Sequence, residues 1–252
     1  MVSVKNLTKK YSPEFTALDN ISFEISKGEI CGYIGTNGSG KSTTVKILIG
    51  VLDFDNGEVE VNGINLKKDP FEVKKIVGYV PETANLFNSL SSEEYLEFIG
   101  TIRNLDPSLM KRRIGNFAEL LEFKELLNES IGTVSKGNRQ KILIASALLH
   151  NPEIIFFDEP LNGLDANSIF IFQDLVTYLV SKNKTIFYCS HLLNTIEKVS
   201  SKIILLDKGK IVLDMKTEDL KKSDNYCGLE NLFRNLNVNT ELKKHSYESL
   251  FD

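Results

Sequence analysis

Glu29-Ile30-Cys31-Gly32-Tyr33-Ile34 runs straight into Gly35-Thr36-Asn37-Gly38-Ser39-Gly40-Lys41-Ser42, and this junction decides the fold. Residues 29–34 read as a buried strand. The next eight have the spacing Gly-x-x-x-x-Gly-Lys-Ser, and residues 41–49 then carry apolar side chains at helical intervals until Gly50 stops them. Strand, glycine-rich loop and helix, in that order, are the context in which a chain cradles phosphate. Backbone N–H groups can wrap an anion only where side chains leave the approach open, and the helix behind adds its positive end. On this reading Gly35, Thr36, Asn37, Gly38, Ser39, Gly40 and Thr43 surround the phosphates of ATP. Lys41 reaches the β- and γ-phosphates, and the Ser42 hydroxyl ligates Mg²⁺. The competing interpretation is a plain glycine turn ahead of a helix; the flanking elements weigh against it.

Working outward, residues 2–7 and 21–25 read as short strands. Residues 57–61, the Asn62-Gly63 turn and Ile64 read as a hairpin, and residues 76–80 as another strand. From about residue 86 to 150 the texture changes. Ser91 with Glu94 spells a capping box, Asp106-Pro107 a helix start, and β-branched runs are few. This stretch is expected to be an inserted helical lobe. Strand patterns return at residues 154–158 and 185–190 and in a hairpin of 202–207 and 210–214, with helices from about Asn167 and near 193–200. The result is an α/β fold with a mostly parallel sheet and an N-terminal antiparallel β patch. The expected division is a nucleotide-binding domain over 1–220, the helical lobe inserted at about 86–150, and a short extension over 221–252. That extension turns polar, with five basic and five acidic residues, and reads as a partly disordered appendage. No internal repeat or low-complexity tract stands out.

Composition sets the outer bounds. The chain has 252 residues and is 42% hydrophobic, which suits one large domain or one domain with an inserted lobe. A net charge of −4 and a pI near 5.6 supply no broad positive field, so nucleic acid is not an expected partner. Lys9-Lys10 and Lys111-Arg112-Arg113 read as solvated surface. Cys31, Cys189 and Cys227 are scattered without metal-ligand spacing, the usage of a reducing cytoplasm. No stretch approaches the ~18–20 apolar residues of a membrane span, and the N-terminus enters a strand without a basic, apolar leader. A role at the membrane is expected to come through a partner.

A second site element is Ile154-Ile155-Phe156-Phe157-Asp158-Glu159-Pro160. Four apolar residues make a buried strand, and two carboxylates stand at its C-terminal end, where open α/β sheets bind ligands. Adjacent carboxylates there are costly unless a cation or water meets them. By itself the segment could be a capped core strand. Beside a phosphate loop, Asp158 fits a Mg²⁺ holder, and Glu159 fits the general base that polarises the attacking water.

With these residues in order, residues 1–220 resemble an ABC ATPase. The resemblance implies roles for further positions. Tyr11 lies in the first inter-strand segment, where that family places an aromatic that stacks on adenine; a partly buried loop tyrosine is the alternative. Val134-Ser135-Lys136-Gly137-Asn138 occupies the signature position at the start of a long helix, Gly163-Leu164-Asp165 the D-loop, and His191 the place of the switch histidine. In the family, the helix end led by Ser135 and Gly137 faces the γ-phosphate held by a second nucleotide-binding subunit, with Asp165 across the same seam. ATP then becomes part of the interface of a head-to-tail dimer.

Two motifs depart from the family pattern. The signature reads Val-Ser-Lys-Gly-Asn, and Lys136 either adds charge near the γ-phosphate or faces solvent. Glu82, after Gly78-Tyr79-Val80-Pro81, stands where a glutamine is usual; it can still ligate Mg²⁺, at the cost of repulsion beside ATP. Both features, with Gly228-Leu229-Glu230-Asn231-Leu232-Phe233, resemble a branch serving exporters whose transmembrane permease subunits are separate chains. That resemblance implies a cytoplasmic ATPase, peripheral at the inner face of the membrane. The alternative is a soluble ABC ATPase working on ribosomes or DNA. Against it stand the single phosphate loop and the span of only about a hundred residues from loop to signature.

Overall fold

In the computed structural model, residues 1–83, 85–222 and 226–237 are described. Ten strands and nine α-helices occur among them. Strands β1 (Val2–Ser12), β2 (Phe15–Ile25), β4 (Asn56–Val61) and β5 (Ile64–Asn65) form an antiparallel sheet in the order β2-β1-β4-β5. Strands β3 (Ile30–Gly35), β6 (Val77–Val80), β7 (Ile154–Asp158), β8 (Thr185–Cys189), β9 (Lys202–Asp207) and β10 (Lys210–Lys216) form the second sheet, ordered β10-β9-β3-β8-β7-β6. Every pairing there is parallel except the β9–β10 hairpin. The helices are α1 (Lys41–Leu48), α2 (Pro70–Ile76), α3 (Ser92–Ile102), α4 (Pro107–Leu120), α5 (Lys136–Leu148), α6 (Ala166–Ser181), α7 (Leu193–Val199), α8 (Thr217–Lys221) and α9 (Leu229–Asn237).

Side-chain alternation along β7 explains the layering. Ile154 and Phe156 join a core with Val4, Phe23 and Val61 of the antiparallel sheet and Val45 and Leu48 of α1. Ile155 and Phe157 point the other way, into a core with Leu96, Ile114, Ile142, Leu148 and Phe172 of α3 to α6. All five residues of β7 are buried, Asp158 among them. Aromatic rings knit the first core, with Tyr33 and Phe187 4.7 Å apart at their centroids and Phe156 5.4 Å from Phe187. The Tyr33 hydroxyl meets Thr44 Oγ1 at 3.1 Å, tying β3 to the helix behind the phosphate loop.

The α/β class and the antiparallel N-terminal sheet agree with the sequence. Three local expectations need correction. Tyr11 lies inside β1, because β1 and β2 keep pairing to Ser12↔Phe15 through several irregular registers that blur any alternation. Ile76 ends a helix rather than starting a strand; α2 opens at Asp69-Pro70, the same start signal as Asp106-Pro107, but has only seven residues. Of the extension expected as an appendage, residues 229–237 form a docked helix, α9, whose Leu229 is fully buried. The expectation for residues 238–252 lies outside the described residues.

Candidate active site

Gly40 is the hinge of the loop that precedes α1. Its φ is 111°, and a β-carbon there would lie 2.6 Å from the Ala17 carbonyl, so only glycine fits. The loop closes on its own lysine. Lys41 Nζ donates to the carbonyls of Gly35 at 2.7 Å and Thr36 at 3.0 Å. Above it lies a cleft of about 390 Å³ lined by Tyr11, Phe15, Ala17, Asn37, Gly38, Gly40, Lys41, Ser42, Thr43, Glu82, Asp158 and Glu159. Residues distant in sequence thus converge on the loop. Ser39 is buried beneath it, 2% exposed.

Tyr11 and Phe15 extend one wall as a near-parallel pair, centroids 6.1 Å apart and planes 19° apart. Each residue is 54% exposed, so the pair leaves aromatic surface open to a flat ligand. Phe15 escaped the sequence reading because exposure is not visible there; the Ser12-Pro13-Glu14 turn was the one signal that it would fold back onto Tyr11.

The opposite wall carries the carboxylates. Glu159 has a left-handed backbone, φ 50°, directly after the buried end of β7. Its side chain is held from three sides. Ser190 Oγ donates to Oε2 at 2.9 Å, the His191 backbone N–H donates to Oε1 at 2.8 Å, and His191 Nδ1 lies 2.9 Å from Oε2. Ser190 is the second residue missed, although it directly precedes His191. Asp158 is 5% exposed. Burial, then the charges of Glu82 and Glu159, push its carboxyl up to about 6, against the pull of Lys41 and Lys46.

That crowding of negative charge suits a hard cation. Ser42, Glu82 and Asp158 offer oxygen ligands in one cleft, although no group of three or more His, Cys, Asp or Glu side chains placed to hold a metal occurs among the described residues. Two carboxylates and a hydroxyl leave positions for phosphate oxygens and water, which is the way Mg²⁺ binds.

Ser135, Gly137 and Asp165 are absent from this cleft. Ser135 is the N-cap of α5, its Oγ accepting from the Asn138 N–H at 3.2 Å. Asp165 caps α6, its carboxylate accepting from the Ser168 N–H and hydroxyl, both at 2.9 Å, which holds it below the usual carboxylate range. Gly137 lies against the loop before α6, where a β-carbon would come within 2.6 Å of the Gly163 carbonyl. Lys136 is exposed, its stem running over Gly163. Gly137 and Lys136 at the start of α5 therefore pack on Gly163, and Ser135, Gly137 and Asp165 do not line the phosphate cleft.

The family described as ABC transporter matches residues 18–162, more than half of the chain, from β2 through the Asp158-Glu159 pair. The chain belongs to the ABC transporter family. The ABC transporter ATP-binding protein NatA of Bacillus subtilis is 30% identical over 246 residues, covering 94% of this chain and 100% of that protein. The bacitracin transport ATP-binding protein BcrA of Bacillus licheniformis is 30% identical over 223 residues, 88% of this chain and 72% of its own length. A dimeric ATP-binding cassette in a post-hydrolysis state, bound to ADP and Pi, superposes with a TM-score of 0.80 at 26% identity, covering 86% of this chain and 99% of that one. This ABC transporter chain is thus an ATP-binding subunit of an ATPase family. No helix among its described residues is long and apolar enough to cross a membrane.

Proposed function

We propose that the chain is the ATP-hydrolysing motor of an exporter, working as a dimer of nucleotide-binding subunits attached to separate transmembrane permease subunits. One observation carries the ATPase part: Glu159 lines the phosphate cleft and its carboxylate is fixed by Ser190 and His191. Tyr11 and Phe15 offer faces to the adenine, and the loop N–H groups of residues 35–40 with Lys41 Nζ offer donors to the phosphates. Lys41 then exchanges its loop carbonyls for phosphate oxygens. Ser42, Glu82 and Asp158 would hold Mg²⁺, which neutralises phosphate charge when bound. Glu159 accepts a proton from the water that attacks the γ-phosphorus, and His191 keeps the carboxylate in place as charge develops.

Dimerisation is supported by what lies outside the cleft. Ser135 presents an exposed helix N-terminus that does not line its own chain's phosphate cleft, and a related cassette is a dimer. Export is supported by the resemblance of the Val134–Asn138 and Glu82 variations to the branch that serves exporters. Location at the inner face of the cell membrane follows from the permease, as does the transported substrate.

Glu159→Gln keeps the shape of the side chain and removes the base. It is expected to bind ATP, cleave it at least about a hundredfold more slowly, and accumulate as a dimer. Light scattering after size exclusion checks this; a variant that stays monomeric at saturating ATP and Mg²⁺ defeats the dimer scheme.

A further inference from the structure

Helix α7 follows the switch segment, and little inside it accounts for its position. It has seven residues, no side chain caps its N-terminus, and Ile196 is its one buried residue. So short a helix does not persist in water alone. It is held between strands β3 and β9 on one side and the C-terminal helix α9 on the other. Leu229, the first residue of α9, is fully buried with Ile34, Ile196, Ile203, Leu205 and Leu220, and Leu232 and Phe233 pack on the same cluster.

Two polar ties fix the pair. The Leu229 N–H donates to Glu197 Oε2 at 2.9 Å, and Asn194 Nδ2 donates to Glu230 Oε1 at 2.9 Å. The first brings a carboxylate from α7 to the N-terminus of α9, where it satisfies an orphan donor and meets the positive end of the helix. From α7 the connection continues to the catalytic carboxylate. Ser190 Oγ accepts from the Leu192 N–H at 3.1 Å at the start of α7, and donates to Glu159.

We propose that Glu197 is a positioning residue for ATP hydrolysis: it clamps α9 onto α7 and so fixes the Ser190–His191 segment that orients Glu159. The inference rests on the ATPase reading above and adds a role for the C-terminal helix. By linkage, whatever rearranges the switch segment also changes the grip on α9.

The chain carries its own reporter. Cys227 is exposed just before α9, whereas Cys31 and Cys189, the other two cysteines, are fully buried. A nitroxide on native Cys227 therefore reads the motion of α9. Glu197→Ala is expected to mobilise the label and lower kcat about three- to tenfold, with KM for ATP unchanged because the loop and aromatic wall are untouched. Glu197→Gln, which keeps an oxygen acceptor, is expected to restore both readouts. Asn194→Ala, at an exposed position, should move both in the same direction as Glu197→Ala and to a smaller extent. The proposal is overturned by an unmoved label in Glu197→Ala, by a mobile label with wild-type kcat, by KM rising in step with a falling kcat, or by no rescue in Glu197→Gln. A wild-type chain that cleaves no ATP defeats the ATPase reading instead, a result that the label measurement keeps separate.

Discussion

Asp158 shows how a site residue trades stability for function. Its carboxyl titrates at about 6 in the fold, against 3.8 as the ordinary value, chiefly because it is buried and secondarily because Glu82 and Glu159 crowd it. Between those two pH values the folded chain holds a proton that the unfolded chain has released. Stability therefore falls as pH rises from about 4 to about 6, and the penalty is fully present above that window. The gap between the two values sets its ceiling at about 3 kcal/mol. Asp158→Asn removes the charge at nearly constant volume. The nucleotide-free variant is expected to melt several degrees above the parent at pH 7.5, on the scale of about 2–4 °C per kcal/mol, and the difference should close toward pH 4. Mg²⁺ with ADP should then stabilise the parent strongly and the variant weakly. Equal melting curves at pH 7.5 would mean that the cleft does not strain this carboxylate. The same residue shows what the sequence could convey. Two carboxylates ending an apolar strand were legible as chemistry, but their crowding by Glu82 depends on a loop more than seventy positions away in sequence.

Elements were legible where a local signal was strong and opaque where tertiary packing made the decision. The capping box at Ser91 and Glu94 and the Asp106-Pro107 start both appear as read, and strand β7 is as buried as its apolar run requires. Helix α2 and the outer half of the β1–β2 hairpin were not legible, because seven residues give no period and irregular registers give no alternation. Gly137 is the clearest case of meaning hidden in packing. On the sequence it belongs to a signature; in the fold it also lets the first turn of α5 close on the Gly163 carbonyl. Gly137→Ala forces backbone apart and is expected to cost about 1–3 kcal/mol. Gly115, inside α4, supplies the contrast, since a β-carbon added there would meet nothing within 4 Å. Gly115→Ala should stabilise by about 0.5–1 kcal/mol through helix propensity alone. Denaturant melts of the two variants decide the matter, and a neutral Gly137→Ala would show that the signature and D-loop are not rigidly joined.

At the scale of the whole molecule, the question is whether one chain holds a complete site. Its phosphate cleft contains the lysine, the carboxylates and the aromatic wall, while Ser135 at the N-terminus of α5 is not among the residues that line it. A composite site explains both facts, and complementation tests it directly. Lys41→Ala spoils the cleft and leaves the signature intact. Ser135→Asp does the reverse. Aspartate still caps α5, as serine does through the Asn138 N–H, but it sets a negative charge where a partner's γ-phosphate would arrive. Each variant alone is expected to be nearly inactive. Mixed in equal amounts, they form mixed dimers about half the time, and each mixed dimer has one intact cleft facing one intact signature. Restored hydrolysis should therefore approach about a quarter of the wild-type rate when the two sites act independently. Coupling between sites would lower that figure without abolishing it. A mixture no more active than its components, with mixed dimers demonstrably present, would mean that Ser135 acts on the nucleotide of its own chain or on none.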